Sequence, residues 1–393
     1  MKKMKRSALI GAICLMSLSL TIYGVIGFSQ VAQPTVRLST EPSIEKIRPF
    51  EAEATTEQLP VRLTVQAVDV AGQPLKNANV RLQLLAPPTT PWFTTDFPIV
   101  ENTALLDFKT PAPAGEVQLQ QMMPIRGVYQ LKVSVTPQVA NAFAPFQQTL
   151  PIAVSENGVK YQNFAILAAV LLLAGLAGGW AIGQRRCTQP GEIAPQPVRL
   201  LLSGAIVVAI AALLYVNINA EIAQSHHAMA MSHPTEAPPP ALHPSQRQVN
   251  GLDVRLLGDQ NAVVGKLASF QVSVTDAKTQ QPVTDVMVKV KATQLENGWI
   301  SFAHDGTTDV TGKLQWQEQF FDGAPHQIDV EVAPQPNSVR QFQPFQVAQT
   351  LEVEGVAPPL RVRLVTLIYM TGIVAIGLLL GLKLQQKRLY QTG

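Results

Sequence analysis

Charge is scarce in this chain of 393 residues: Asp, Glu, Lys and Arg together make up 15%, against roughly 25% in soluble domains. The deficit is concentrated. Residues 7–28, 164–183, 200–216 and 364–382 contain none of the four, and each run is close to the ~20 apolar residues with which a helix crosses a bilayer. Cysteine is nearly missing as well, with only Cys14 in the first run and Cys187 between the second and third. That excludes a disulfide framework or a Cys-based metal site in the polar regions. The net charge is +3 and forms no basic patch, so nucleic acid is not an expected partner. Histidine is absent from the first half, and all six residues lie between His226 and His326. A Ser/His/Asp or Cys/His catalytic arrangement is therefore excluded there.

What is present is a duplication. Gly115-Glu-Val-Gln-Leu-Gln and the stretch Gly127 to Pro137 match Gly312-Lys-Leu-Gln-Trp-Gln and Gly323 to Pro334. Upstream, Leu63 to Asp69, Pro74 and Val80 to Leu84 match Phe270 to Asp276, Pro282 and Val288 to Lys291. Both copies alternate apolar and polar residues: Val61, Leu63, Val65 and Ala67 in one, Phe270, Val272 and Val274 in the other. Period two reads as half-buried strands, and turn signals such as Ala71-Gly-Gln-Pro74 separate them. About seven strands per copy are expected, with no amphipathic helix between them.

The expected fold is thus a membrane protein with four transmembrane α-helices and two all-β immunoglobulin-like sandwich domains, an internal duplication of a helix–sandwich–helix unit. The boundaries fall at 1–28 (an uncleaved anchor, too long in its apolar core for a signal peptide), 29–158 (first sandwich), 162–183 (second helix), 184–198 (cytoplasmic loop), 199–218 (third helix), 219–248 (juxtamembrane linker), 249–358 (second sandwich), 363–383 (fourth helix) and 384–393 (cytoplasmic tail). Lys2, Lys3, Lys5 and Arg6, then Arg185 and Arg186, then Lys383, Lys387 and Arg388 flank the runs. The positive-inside rule assigns these regions and both termini to the cytoplasm of a bacterial cell and both β-domains to the outside, although Arg361 and Arg363 sit on the outer side. No ionisable side chain lies within a run, so transport through the helices is not expected. Gly175, Gly179 and Gly183 repeat every four residues, as do Gly377 and Gly381. Small residues at that spacing suit close helix pairing, within the chain or between two chains of a homodimer.

The linker contains the most specific ligand chemistry. His226, His227, Met229, Met231 and His233 fall within eight residues, and imidazole with thioether suits copper, Cu(I) above all, with zinc as the alternative. Extended, the segment is too long for one metal site; helical or curled, it brings His226, Met229 and His233 to one side. The bland alternative is a spacer, since Pro234, Pro238, Pro239, Pro240 and Pro244 follow. His304, expected in a loop, and His326, in the place of Tyr129, are added as candidate ligands if their loops project toward the membrane. For His326 alone, a packing substitution is the simpler expectation. Met122 and Met123 are expected to point to opposite faces of a strand, one core and one surface. Trp92, Phe93 and Phe97 are expected to form a satellite core. No nucleophile elbow, phosphate loop or zinc-protease helix is found, so an enzyme is not expected.

Val272-Ser-Val-Thr-Asp276, Gln281-Pro-Val283, Val288-Lys-Val290, Gly312 and Phe321-Asp-Gly323 together resemble the extracytoplasmic β-sandwich modules of the YtkA-like and FixH-like type. The resemblance implies an immunoglobulin-like fold and a context of metal handling or membrane-complex support. It carries over no ligand residue. The functional expectation is a bilayer-anchored protein that binds or hands on copper through the His/Met segment; the alternative is a non-catalytic scaffold whose sandwiches bind another extracytoplasmic protein.

Overall fold

The computed structural model describes residues 33–51, 58–90, 95–183, 245–336, 338 and 340–391. The alternating segments are strands, because successive side chains point to opposite faces and only one face meets the core. The first half supplies β1 (Thr35–Glu41), β2 (Val61–Val68), β3 (Ala78–Leu85), β4 (Ala104–Ala112), β5 (Glu116–Gln121), β6 (Gly127–Pro137) and β7 (Phe146–Val154). The second supplies β8 (Ser245–Val249), β9 (Leu252–Gly258), β10 (Asn261–Val263), β11 (Leu267–Asp276), β12 (Val286–Gln294), β13 (Ile300–Thr307), β14 (Lys313–Gln319), β15 (His326–Pro334) and β16 (Phe345–Glu354). In β2, Val61, Leu63, Val65 and Ala67 are buried while Arg62 faces out.

These strands build two eight-stranded sheets, ordered β1-β2-β5-β13-β12-β15-β16-β10 and β7-β6-β3-β4-β14-β11-β9-β8. The two orders mirror each other. Exchanging β1, β2, β3, β4, β5, β6 and β7 with β9, β11, β12, β13, β14, β15 and β16 converts seven strands of one sheet into seven of the other. The halves therefore pack about a pseudo-two-fold axis, with β5–β13 and β4–β14 as the same contact seen twice. Within each half, one sheet holds the first, second and fifth strands of the repeat and the other its seventh, sixth, third and fourth, an immunoglobulin-like arrangement.

The expectation of four transmembrane helices and two separate sandwiches is corrected in both parts. Each sheet crosses from one half to the other, and a single core cluster extends from Val36 to Val353. A repeat in sequence reveals two copies of a unit but not the fate of their edge strands. In an isolated half, β4 and β5 would be open sheet edges, and unpaired edges join. Among the described residues two helices, not four, are long and apolar enough to cross a membrane: α1 (Gly158–Ile182) and α2 (Leu360–Gln391). The runs 7–28 and 200–216 lie outside the described residues. Lack of charge sets a length over which a helix would span, but composition alone does not form one.

α1 begins ahead of residue 162 because Asn157 caps it, its side chain accepting from Val159 N at 3.1 Å. α2 runs through the expected tail to Gln391. The two helices leave the same end of the sandwich, after Val154 and Glu354, and run parallel. Their glycines meet the other helix of the same chain: a Cβ on Gly179 would lie 2.0 Å from the Leu378 carbonyl oxygen, and one on Gly377 2.3 Å from that of Leu172. Only the missing side chains permit this approach.

Candidate functional site

The seam between the halves is the least ordinary part of the core. Facing inward there are Val117, Leu119 and Gln121 from β5, Phe302 and His304 from β13, Leu106, Phe108 and Thr110 from β4, and Leu314, Trp316 and Glu318 from β14. The ladder registers pair Leu119 with His304 and Trp316 with Phe108, then Gln121 with Phe302 and Glu318 with Leu106. Across the pseudo-two-fold axis His304 is therefore the counterpart of Phe108, and Glu318 of Gln121. His304 and Phe108 flank the axis and touch, edge to face, with ring centroids 4.4 Å apart.

The expected loop position of His304 is corrected, for it lies within β13, only 3% exposed. Its Nδ1 donates to the Gln118 carbonyl at 2.7 Å, and Nε2 faces Thr110 Oγ1 at 3.5 Å. Burial lowers its pKa to about 4, which keeps the ring neutral. Gly306 makes room for it: a Cβ there would sit 2.2 Å from His304 Nε2.

The ring has a consequence for the ladder. In the β4–β14 contact, four residue pairs form, ending with Gln315 opposite Lys109. In β5–β13 the ladder stops after Phe302, Ala303 and His304. The pair that does not follow is Gln118 with Asp305, at the place where the Gln118 carbonyl accepts from the imidazole as well. Beyond this point β5 and β13 diverge around a groove of about 540 Å³, lined among others by Arg62, Glu116, Gln118, His304, Asp305 and Thr307.

At the other end of the seam, Glu318 is fully buried. Its Oε1 accepts from Ser301 Oγ at 2.6 Å, while Oε2 has no hydrogen-bond partner among the described residues. Burial raises its pKa to about 8, against the lowering effect of the Ser301 bond. At neutral pH the carboxyl is therefore mostly protonated. Sequence reading missed Glu318, Thr110 and Gly306, although a glutamate at the inward phase of the Leu314, Trp316, Glu318 alternation was a usable signal.

His326 is fully buried at the start of β15, with Nδ1 donating to the Ala324 carbonyl at 2.8 Å and the ring against Phe320 and Trp299. Its counterpart Tyr129 donates to the Ile125 carbonyl at 2.6 Å and accepts from Ile125 N at 2.9 Å, as the tyrosine corner of immunoglobulin-like domains does. Both residues tie an aromatic ring back to the preceding turn. Burial lowers the His326 pKa to about 4. His304 and His326 are not brought together, and among the described residues no three His, Cys, Asp or Glu side chains converge as a metal site. His226, His227, Met229, Met231 and His233 lie outside the described residues, as do Trp92 and Phe93. Phe97 packs on Phe50 and Phe321, centroids 6.1 and 5.1 Å away. Met122 and Met123 are both buried, correcting the expected surface methionine; the strand ends at Gln121, and the chain then passes under the seam, with Met122 N donating to the Ser301 carbonyl.

No protein family and no curated protein matches the chain, and the YtkA-like and FixH-like resemblance is not confirmed. Among solved structures, a copper-bound variant of FetP from uropathogenic Escherichia coli is 9% identical over 29% of this chain and 98% of its own, with a TM-score of 0.21. Invasin, a bacterial integrin-binding protein, is 9% identical over 81% of this chain and 40% of its own, with a TM-score of 0.19. The D0–D1 domain of intimin is 10% identical over 80% of this chain and 99% of its own, with a TM-score of 0.17. Likenesses at this level carry no inference about what this chain binds.

Proposed function

We propose that the chain is a membrane-anchored, non-catalytic platform whose continuous β-sandwich binds another protein outside the cytoplasm. The observation that supports this reading is the joining of both halves, through the β5–β13 and β4–β14 ladders, into one body that α1 and α2 leave from a single end. Two parallel helices in glycine contact hold that body in a defined orientation to a bilayer. Arg185 and Arg186 after α1, with Lys383 and Lys387 late in α2, favour placing the far ends of both helices in the cytoplasm. Closed off from solvent and made weakly basic by that burial, His304 and His326 are poorly placed to serve as general bases. Affinity purification of the full chain after in-cell cross-linking tests the reading. A partner retained when residues 226–233 are deleted supports it; recovery of the chain alone from every condition overturns it.

A second reading, copper capture through His226, His227, Met229, Met231 and His233 with zinc as the alternative ion, is favoured by one placement. β8 enters its sheet at Ser245, opposite Leu256 and toward the end from which the helices leave, so the polypeptide ahead of it joins the sandwich on the bilayer side. His304 and His326 are not part of this reading. Titration of Cu(I) and Zn(II) against a competing chelator, into the full chain and the variant with those five residues changed to Ala, decides it. Equal binding by the two proteins refutes the metal reading.

A further inference from the structure

We infer that the sandwich is seated on the lipid surface around the root of α1: Leu59 and Val128 lie among the headgroups, and Lys46 and Arg48 contact headgroup phosphates. The inference rests on the platform reading and deepens it, because a seat, unlike a tether, fixes which flank of the sandwich faces a partner. Three observations carry it.

The first is the level of the bilayer on α1. The charge-free run starts at Phe164. One turn earlier Tyr161 is exposed, and Trp180 is exposed toward the far end. At 1.5 Å per residue the two are ~28 Å apart along the helix axis. That is close to the ~30 Å hydrocarbon thickness, whose two faces aromatic belts mark. Tyr161 therefore stands at the outer interface.

The second is what stands beside that turn. Lys160 is ion-paired with Asp96, from the connection between β3 and β4, and lies 3.8 Å from Glu156. Glu156 also pairs with Arg126, just ahead of β6, at 2.8 Å. At the N-cap, Asn157 Nδ2 donates to Glu51 Oε1 at 2.9 Å. Only Ser155, Glu156 and Asn157 separate β7 from α1. The loops of the sandwich thus reach the helix turn that stands at the headgroups, which leaves this end no room to stand off the bilayer.

The third is the chemistry exposed at this level. Glu51 N donates to Gln58 Oε1 at 2.8 Å, which brings the next residue, Leu59, toward the N-cap with its side chain free; it is 72% exposed. Val128, opposite Ala153 on the next-to-last rung of β7, is 51% exposed. Ser155 N donates to the Ile47 carbonyl at 3.4 Å, so the turn carrying Lys46 and Arg48 adjoins the root of the helix. Both cations are exposed, and among the described residues neither is paired with a carboxylate; Arg48 Nη1 donates to the Glu45 and Ile47 carbonyls. Apolar side chains that sink among headgroups beside cations that meet phosphates are the chemistry of a lipid-facing surface.

The test uses the full chain in a Cys14→Ala, Cys187→Ala background, in nanodiscs of phosphatidylethanolamine and phosphatidylglycerol. Single spin labels are placed at Leu59→Cys or Val128→Cys, and accessibility to oxygen is compared with accessibility to a water-soluble nickel chelate. Leu173→Cys supplies the lipid reference. Val310→Cys, on the β13–β14 turn at the opposite end and 84% exposed, supplies the aqueous one. The expected oxygen-to-nickel ratio at Leu59 and Val128 is several-fold above that at Val310. In Lys46→Glu with Arg48→Glu, both exposed, the ratio at Leu59 should fall at least about twofold as the phosphate contact turns repulsive. Ratios at Leu59 and Val128 equal to that at Val310 overturn the seat, as does shielding from both reagents, which would mean that protein covers this end. An unchanged ratio in the double-Glu variant overturns the phosphate contact. The Leu173 label separates the two levels: lipid exposure there with an aqueous Leu59 sinks the seat and leaves the platform, whereas an aqueous Leu173 sinks the membrane anchoring on which the platform depends.

Discussion

Replacing Glu318 by Gln, the residue already present at the two-fold-related position Gln121, should stabilise the protein at pH 8 and leave it nearly unchanged at pH 4.5. Glu318 Oε1 accepts from Ser301 Oγ, and a Gln carbonyl accepts the same bond, so packing and hydrogen bonding are conserved. What changes is the titration. The folded-state pKa is raised to about 8 from an ordinary value of 4.5. A raised pKa means that the folded state holds a proton the unfolded state has released. The stability this group permits is fully present below pH 4.5 and is lost as pH rises from there through about 8, where both states are ionised. At ~1.4 kcal/mol per unit, the whole span amounts to an order-of-magnitude loss of about 5 kcal/mol. Gln does not ionise, so Glu318→Gln recovers several kcal/mol at pH 8, a rise in Tm on the order of 10 °C for a domain of this size. Thermal unfolding of both proteins in detergent, followed by tryptophan fluorescence between pH 4.5 and 9, reads the effect directly. Parallel Tm–pH curves for the two would show that Glu318 is not buried as a neutral acid, and the account of the seam core would fail with it.

His326→Tyr copies the Tyr129 solution and removes a buried imidazole whose depressed pKa makes stability fall as pH drops from 6.5 to about 4; a flatter acid limb in the same Tm measurement is expected, and an unaltered limb counts against it. With His304 acting in the same direction and Glu318 in the opposite one, wild-type stability should peak near pH 6.5. Gly306→Ala places a Cβ against the His304 ring and should cost about 1–3 kcal/mol; in a double-mutant cycle with His304→Ala that cost should largely vanish, and additivity would refute the contact. Gly179→Leu cannot keep the Leu378 approach, so spin labels on Leu173 and Ile376, in a Cys14→Ala, Cys187→Ala background, should report a longer interhelical distance; an unchanged distance would exclude the glycine contact.

The strand content was legible because alternation is a local property: β2, β6, β11 and β15 are plain in their apolar phases, and the Gly115 and Gly312 turns mark equivalent places. The first strand of the repeat was also available, since Val36-Arg37-Leu38 and Val254-Arg255-Leu256 sit opposite equivalent residues, Ala67 and Val274 for the valines. Joining of the halves was not legible. Nothing local in β4, β5, β13 or β14 states which edge meets which, and an inward Glu318 reads as an error in the pattern until its Ser301 partner is placed beside it. His326 was legible as a replacement for Tyr129, but its role required seeing both rings bonded to the turn before them. The glycine spacing in α1 and α2 named the contact face and left open whose helix would fill it.

The copies differ where they meet. Duplication gives a seam in which each contact occurs twice, and a symmetric seam would close both sheets alike. Phe108 has no polar atom, so on its side the ladder runs on to Gln315–Lys109. His304, in the equivalent place, offers Nδ1–H to the Gln118 carbonyl, and on its side the ladder ends one pair short of its two-fold mate. The imidazole shares that carbonyl with the ladder, and Gly306 leaves room for the ring. His304→Phe tests the reasoning. It should complete the rung and protect the Gln118 amide from hydrogen exchange more strongly than in wild type. Exchange at Gln118 that stays as fast as in wild type would mean that something other than the imidazole ends the ladder there.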